Sequence, residues 1–434
     1  MKRPVSILLL LVLATAGIQN VVAAAQKDSS VVKITYFNTS AEVNQVFESM
    51  FAKYHELNPN VVIELIPTGI GEGQQEKLQS LYASGNAPTL MNIDPANVIQ
   101  YKQKLLDFNA ENAPWLSLAN DGVVSAGTFD GKVFGMPFSV QGFGLLYNKK
   151  VVDKIYGGKF DPATINTRNA LKAFFEKVEA SGTAATMLHG ANWSLGGHYL
   201  TLSYAVQGPK TSDGTGFLDK LIAGTAKIED NPIFQGYMDT LDLIAKHNYR
   251  KGDPLVADYN KDVQAFGEGK AATFFMGDWA WTVMGTLQGV DQDFAFIPVP
   301  WSNDPAAYGN SQVVMVLPKF NVIDKSQSSP AQQQAALDFL KWMLTEPGGQ
   351  QFLLDAGFAM PYKNVRADIK YNTMTQSIAD YAKAGKTINL GSFSYISGDA
   401  WTVTGNLMLQ YLTKAIDRKQ LAEKINAYWR STKQ

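Results

Sequence analysis

From Val31 to Phe37 the chain runs Val-Val-Lys-Ile-Thr-Tyr-Phe, a β-branched and aromatic stretch that predicts a strand. Behind it Val43, Val46, Phe47, Met50, Phe51 and Tyr54 recur at helical spacing, giving one apolar face. Thr39 and Glu42 form a T-x-x-E capping box ahead of that face, and Asn58-Pro59 stops it. Val61–Ile66 reads as a second strand, so the opening is a βαβ unit and predicts a parallel sheet with helical cover. The alternation continues with a helix over 75–84, a strand over 89–93, a helix over 98–106, and a turn at Asp130-Gly131 between short strands. Residues 137–148 look extended, 167–180 and 233–247 helical. A helix over 259–267 precedes a strand over 271–276, and another strand follows at 313–317. Helices are expected over 331–345 and 349–356, and mostly helix from Tyr371 onward. Breaks fall near 138, 300 and 358, with no repeat or low-complexity tract. An α/β chain of 434 residues exceeds one open sheet, so two lobes are expected.

Composition narrows the chemistry. Hydrophobic residues make up 46% and charged residues 18%, which is enough apolar matter for a large core. Charges nearly cancel, 38 basic against 39 acidic, with no single-sign block to hold a nucleic acid or a polybasic membrane contact. Cysteine is absent, which excludes disulfides, thiolate catalysis, cysteine-held zinc and a lipid anchor on an N-terminal cysteine. At the N-terminus, Lys2 and Arg3 precede the apolar Ile7–Leu13, and Ala23-Ala24-Ala25 supplies a small-residue cleavage pattern. Residues 1–25 are therefore expected to be a secretory signal, leaving a soluble chain from Gln26 with net charge −3 after loss of Lys2 and Arg3. No other segment is long and apolar enough to span a bilayer.

Signatures of covalent chemistry are missing. There is no nucleophile elbow, P-loop, H-E-x-x-H or calcium loop, and His55, His189, His198 and His247 are too scattered to pair on a metal. Neither metal nor cofactor is expected. A two-carboxylate glycosidase is not excluded by spacing, but nothing supports it. What recurs is an aromatic beside turn residues: Trp193, Trp279, Trp281, Trp301, Tyr362, the pair Phe393 and Tyr395, and Trp401. Aromatic faces among Asp, Asn and Gln suit a sugar, stacking on C–H faces while amides and carboxylates meet hydroxyls. For any single one, a place in the core is an equal alternative. Trp279 follows the 271–276 strand across Gly277-Asp278, where Gly277 would let backbone approach a ligand and Asp278 would accept a hydroxyl or cap the next helix. Trp281, two residues on, is expected to pack.

In their order, several segments resemble the sugar-binding branch of the extracellular solute-binding proteins of ABC importers. They are Ile34-Thr35-Tyr36 with its helix, 85–89, 130–137, Leu146-Tyr147-Asn148-Lys149, 266–272 with 276–279, and Phe339-Leu340-Lys341-Trp342 leading to Gly357 and Pro361. Departures are Thr89, Phe37 with no tryptophan beside it, and Gln141 where maltodextrin binders carry an acid. The resemblance implies a two-lobed α/β periplasmic-binding-protein fold of type II, with 26–137 and 302–355 in lobe 1 and 138–301 and 356–434 in lobe 2. Crossovers would lie at 138–142, 298–302 and 355–361, closing on ligand as a hinge. It further implies contacts at Asn38, Glu42, Asp94, Gln141, Trp193, Trp279 and Trp401, with Asn310 a further candidate. For the polar members a cap or turn role is an equal reading. The implied function is capture of a neutral sugar or oligosaccharide by a periplasmic monomer that delivers it to transmembrane permease subunits. Arg168, Arg250, Arg366, Arg418 and Arg430, the only arginines after residue 25, lie outside these loops, against an anionic ligand. A binder of polyamine, amino acid or metal, or a secreted carbohydrate-active enzyme, remain the alternatives.

Overall fold

The computed structural model describes residues 31–69, 73–251, 257–390 and 399–432. The expected signal at 1–25 and the aromatic pair Phe393 and Tyr395 lie outside the described residues. Among the described residues, no helix is long and apolar enough to cross a membrane.

Two sheets, each clothed in helices, form two lobes. β1 (Val32–Asn38) and β2 (Val61–Pro67) pair in parallel, joined by helix Asn44–Leu57, whose Phe47, Met50, Phe51 and Tyr54 are buried. β3 (Leu90–Ile93) joins the other side of β1, also parallel. The expected capping box does not form: a 3-10 turn, Ala41–Val43, precedes the helix, and the Thr39 hydroxyl donates to the Asn92 carbonyl at 2.6 Å instead. β4 (Thr128–Phe129) and β5 (Lys132–Val133) make the small hairpin, turned by Asp130 at φ 51° and Gly131 at φ 75°.

β6 (Gln141–Asn148) opens the second sheet and is buried along its whole length. β7 (Ala184–Leu188), β8 (Ala271–Gly277), β9 (Phe294–Ile297) and β10 (Val313–Val316) gather around it. β11 (Phe320–Ile323) returns to the first sheet, and β12 (Thr387–Asn389) closes the second. The strand orders are β11-β3-β1-β2 and β12-β10-β6-β8-β7, with β9 pairing the far half of β6.

The chain changes sheets at 137–140, at Leu317-Pro318-Lys319 and around 356–365. The second passage is a correction to the expected 298–302. Pro298 and Pro300 end β9, but the loop after them stays beside the second sheet and returns as β10, antiparallel to β6. Pro318 supplies the break at the true passage, so 302–316 belongs with the second sheet. Val140 and Ala359 bridge the first and third passages, Val140 donating to the Ala359 carbonyl at 2.7 Å. The Tyr362 hydroxyl donates to the Pro137 carbonyl at 2.7 Å.

Each lobe has an aromatic core. In the first, Tyr36, Phe47, Phe51 and Phe339 interlock, with Tyr54 5.1 Å from Phe339 and from Trp342. In the second, Tyr204 and Trp429 meet at 5.7 Å. Trp281 and Trp301 also pack: Trp281 closes over Gly357, and Trp301 lies on Gly236 with its indole N–H donating to the Tyr308 carbonyl.

Candidate ligand cleft

β1 and β3 are parallel, so both deliver their following residues to one edge of the first sheet, the edge where ligands collect in open α/β sheets. That edge faces the second sheet across a cavity of about 320 Å³. The first lobe contributes Ser40, Glu42, Gln74, Asp94 and Asn97, and the second Gln141, Trp193, His198, Tyr259, Trp279 and Trp401. Pro318 and Lys319, from the second passage between sheets, form part of the lining.

Six of the ten expected contacts lie on this wall: Glu42, Asp94, Gln141, Trp193, Trp279 and Trp401. The other four do not, each for a local reason. Asn38 is fully buried beneath the wall, with its side chain spent on the Ser40 backbone, Asn44 and Asn92. Asn310 staples the 301–310 loop, accepting from the amides of Trp301 and Ser302 and donating to the carbonyls of Ser302 and Asp304. Gly277 has extended backbone, φ −114°, so its need is space. A Cβ there would sit 2.0 Å from Cζ3 of Trp279, whose ring folds back over the glycine. The close approach expected of a ligand is made by the chain's own indole. Asp278 is turned inward, 4% exposed, and its Oδ1 accepts from the Gly142 amide at 3.2 Å. Burial raises its pKa to about 7.

The tryptophans are held from behind. Trp279 is 8% exposed, more buried than an open stacking floor, with its ring 6.2 Å from Phe143 and 4.9 Å from His198. Trp193 and His198 sit on one π-helical stretch, Trp193–Tyr199, whose wide turn brings residues five apart to one face, their rings 5.4 Å apart. Gly196, Gly197 and Gly405 let helix Ala400–Leu412 approach this stretch so closely that a Cβ on Gly197 would meet the Trp401 ring at 2.9 Å. Removal from water pushes the His198 pKa down to about 3, with the Lys319 charge adding to the effect, so the imidazole is neutral at physiological pH.

Polar groups opposite are fixed as firmly. Lys319 pairs with Asp94 at 2.7 Å, both well shielded, and its ammonium lies 5.9 Å from the Trp401 ring. Glu42 is half-buried, and burial raises its pKa against weaker lowering by its own backbone amide and by the Lys319 charge. Sequence reasoning missed His198, Lys319 and Tyr259. Tyr259 opens helix Tyr259–Gly267 behind its cap Asp258, and the turn residue before an apolar run was its only signal. One turn on, buried Asp262 accepts from His189 at 2.8 Å and is paired with Arg250, anchoring the helix against the end of β7.

The same architecture recurs among known proteins. A raffinose complex of the solute-binding protein RafE superposes with a TM-score of 0.73 at 18% identity, covering 93% of this chain and all of that one. A chitin oligosaccharide binding protein gives 0.74 at 17% identity, over 93% of this chain and 99% of that one. A multiple sugar-binding protein of Streptococcus mutans is 22% identical over 422 residues, 94% of this chain and 93% of its own length. Residues 49–384 match the family model described as bacterial extracellular solute-binding protein. With most of its length matched, and with two lobes facing each other across an aromatic cleft, the chain belongs to the bacterial extracellular solute-binding proteins.

Proposed function

We propose that the protein captures a neutral saccharide of one or more units outside the cytoplasmic membrane and presents it, as a monomer, to the permease subunits of an ABC importer. The observation that carries this reading is the cleft's two-sided chemistry. Trp193, Trp279 and Trp401 offer flat apolar faces from one lobe, while Ser40, Glu42, Gln74 and Asp94 offer hydrogen-bonding groups from the other. Rings cover the C–H faces of a pyranose and carboxylates or amides meet its hydroxyls. Charge argues for neutrality: Glu42, Glu76, Asp94 and Asp399 line the cavity against Lys319, and Lys319 is engaged by Asp94. An anionic ligand would therefore meet an acidic wall. Relatives that bind raffinose and chitin oligosaccharides support a saccharide. The role is binding without bond cleavage, with export by an N-terminal signal cleaved after about Ala25.

Protein purified without refolding should release its ligand to mass spectrometry on denaturation. Calorimetric titration with raffinose, stachyose and chitin oligosaccharides should find binding by at least one, with a smaller radius of gyration at saturation in solution scattering. If a uronate, a polyamine or an amino acid binds and none of these saccharides does, the reading fails.

A further inference from the structure

Tyr259 lines the cavity, yet it is 6% exposed, and its hydroxyl finds no partner among the described residues. A phenolic O–H removed from water without an acceptor is costly to leave unmade, so its presence on a ligand wall points to a bond completed by the ligand. Across the cleft stands Glu42. Its carboxylate makes no ion pair among the described residues, and the capping box that would have occupied it is not formed. Both groups line the one cavity, so both face the space a single ligand would fill. One is a donor from the second lobe, the other an acceptor from the first.

We infer that a single ligand hydroxyl bridges the lobes here, accepting from the Tyr259 O–H and donating to the Glu42 carboxylate, which makes Tyr259 a specificity-determining residue. This rests on the saccharide reading and deepens it: the ligand must present at this position a group that both accepts and donates, as a free hydroxyl does and a deoxy or methyl-ether position does not. Because its partners belong to different lobes, the bridge forms only when the cleft is closed. Asp262, held by His189 and Arg250, fixes the helix one turn beyond Tyr259, and the phenol ring packs edge-on against His189 at 6.0 Å and Trp193 at 6.2 Å without help from the ligand. That preorganisation lowers the ordering cost of binding.

The test compares wild type, Tyr259→Phe, Glu42→Gln and the double variant, by calorimetric titration with whichever of raffinose, stachyose or chitin oligosaccharides binds wild type, and by thermal melts without ligand. Tyr259→Phe should weaken binding roughly 3- to 30-fold. It should leave the empty protein melting at or above wild type, because the unpaired hydroxyl is gone. The two single losses should be strongly non-additive, since they share one ligand group. A Tyr259→Phe variant that binds normally, or melts early with affinity intact, overturns the assignment of Tyr259, and additive losses overturn the shared bridge. Both leave the saccharide reading standing. If wild type binds none of these saccharides, that reading falls and the bridge with it.

Discussion

Asp278→Asn should make the protein more stable on the alkaline side of neutrality and should flatten its dependence on pH. Burial raises the Asp278 pKa from the ordinary 3.8 to about 7, with the Gly142 amide pulling the other way less strongly. Unfolding returns the carboxyl to water and its ordinary pKa, so between 3.8 and about 7 the folded chain holds one proton more than the unfolded chain. Stability from this group is therefore full below 3.8, falls as pH rises through the window, and levels off above about 7. At ~1.36 kcal/mol per pH unit, the loss between about pH 5 and about pH 8.5 comes to roughly 2–3 kcal/mol. Asparagine keeps an oxygen for the Gly142 amide and places an uncharged group where Asp278 Oδ2 has no partner among the described residues. Urea unfolding of both proteins at the two pH values isolates the contribution, since every other titrating group is common to them. The variant should lack about 2–3 kcal/mol of the decline that wild type shows. If both lose stability equally, Asp278 is ionised in the fold and the reasoning from burial is wrong.

Further expectations follow from contacts around the cleft. Trp279→Ala should weaken saccharide binding about 10- to 100-fold and also lower the melting temperature, because the ring is packed and not open to water. Gly277→Ala, which drives a methyl into the Trp279 ring, should reproduce most of the affinity loss in the same titration; normal binding would mean that the ring has room to retreat. Lys319→Met should destabilise by about 3–5 kcal/mol by stranding shielded Asp94, and Asp94→Asn on that background should recover most of the loss in thermal melts.

Legibility in the sequence followed the range of the interaction. Helix Tyr259–Gly267 and strand Ala271–Gly277 were readable because local patterning fixes them: an apolar helical face, a glycine-marked end, then a fully buried run. The second passage was not readable. Pro298 and Pro300 are louder punctuation than Pro318, and only the pairing of β10 with β6 and β11 with β3 decides where the chain leaves a sheet. Asp94 and Asn310 looked equivalent as polar residues after strands. They differ in what folds against them, a lysine at the start of the neighbouring strand β11 for one and the residue's own loop for the other. His198 escaped notice because its partner Trp193 lies five residues away, off any α-helical face, and the π-helical turn that joins them leaves no trace in a 3.6-residue periodicity.

The interleaving of the two lobes has a consequence for how the molecule comes into being. The Tyr36 hydroxyl donates to Asn321, 285 residues further along, and the edge of β3 away from β1 is covered by β11. A nascent chain that has made β1, β2 and β3 still lacks the last strand of that sheet and the helices over 330–355 that pack beside it. Until synthesis is well past its midpoint the first layer presents an incomplete edge and an uncovered aromatic face, and it cannot lock. Such a chain stays pliable through most of its emergence from the ribosome, the state that the proposed export in unfolded form would require. The cost is a prolonged exposure to misassembly, and holding chaperones on the way out would meet it.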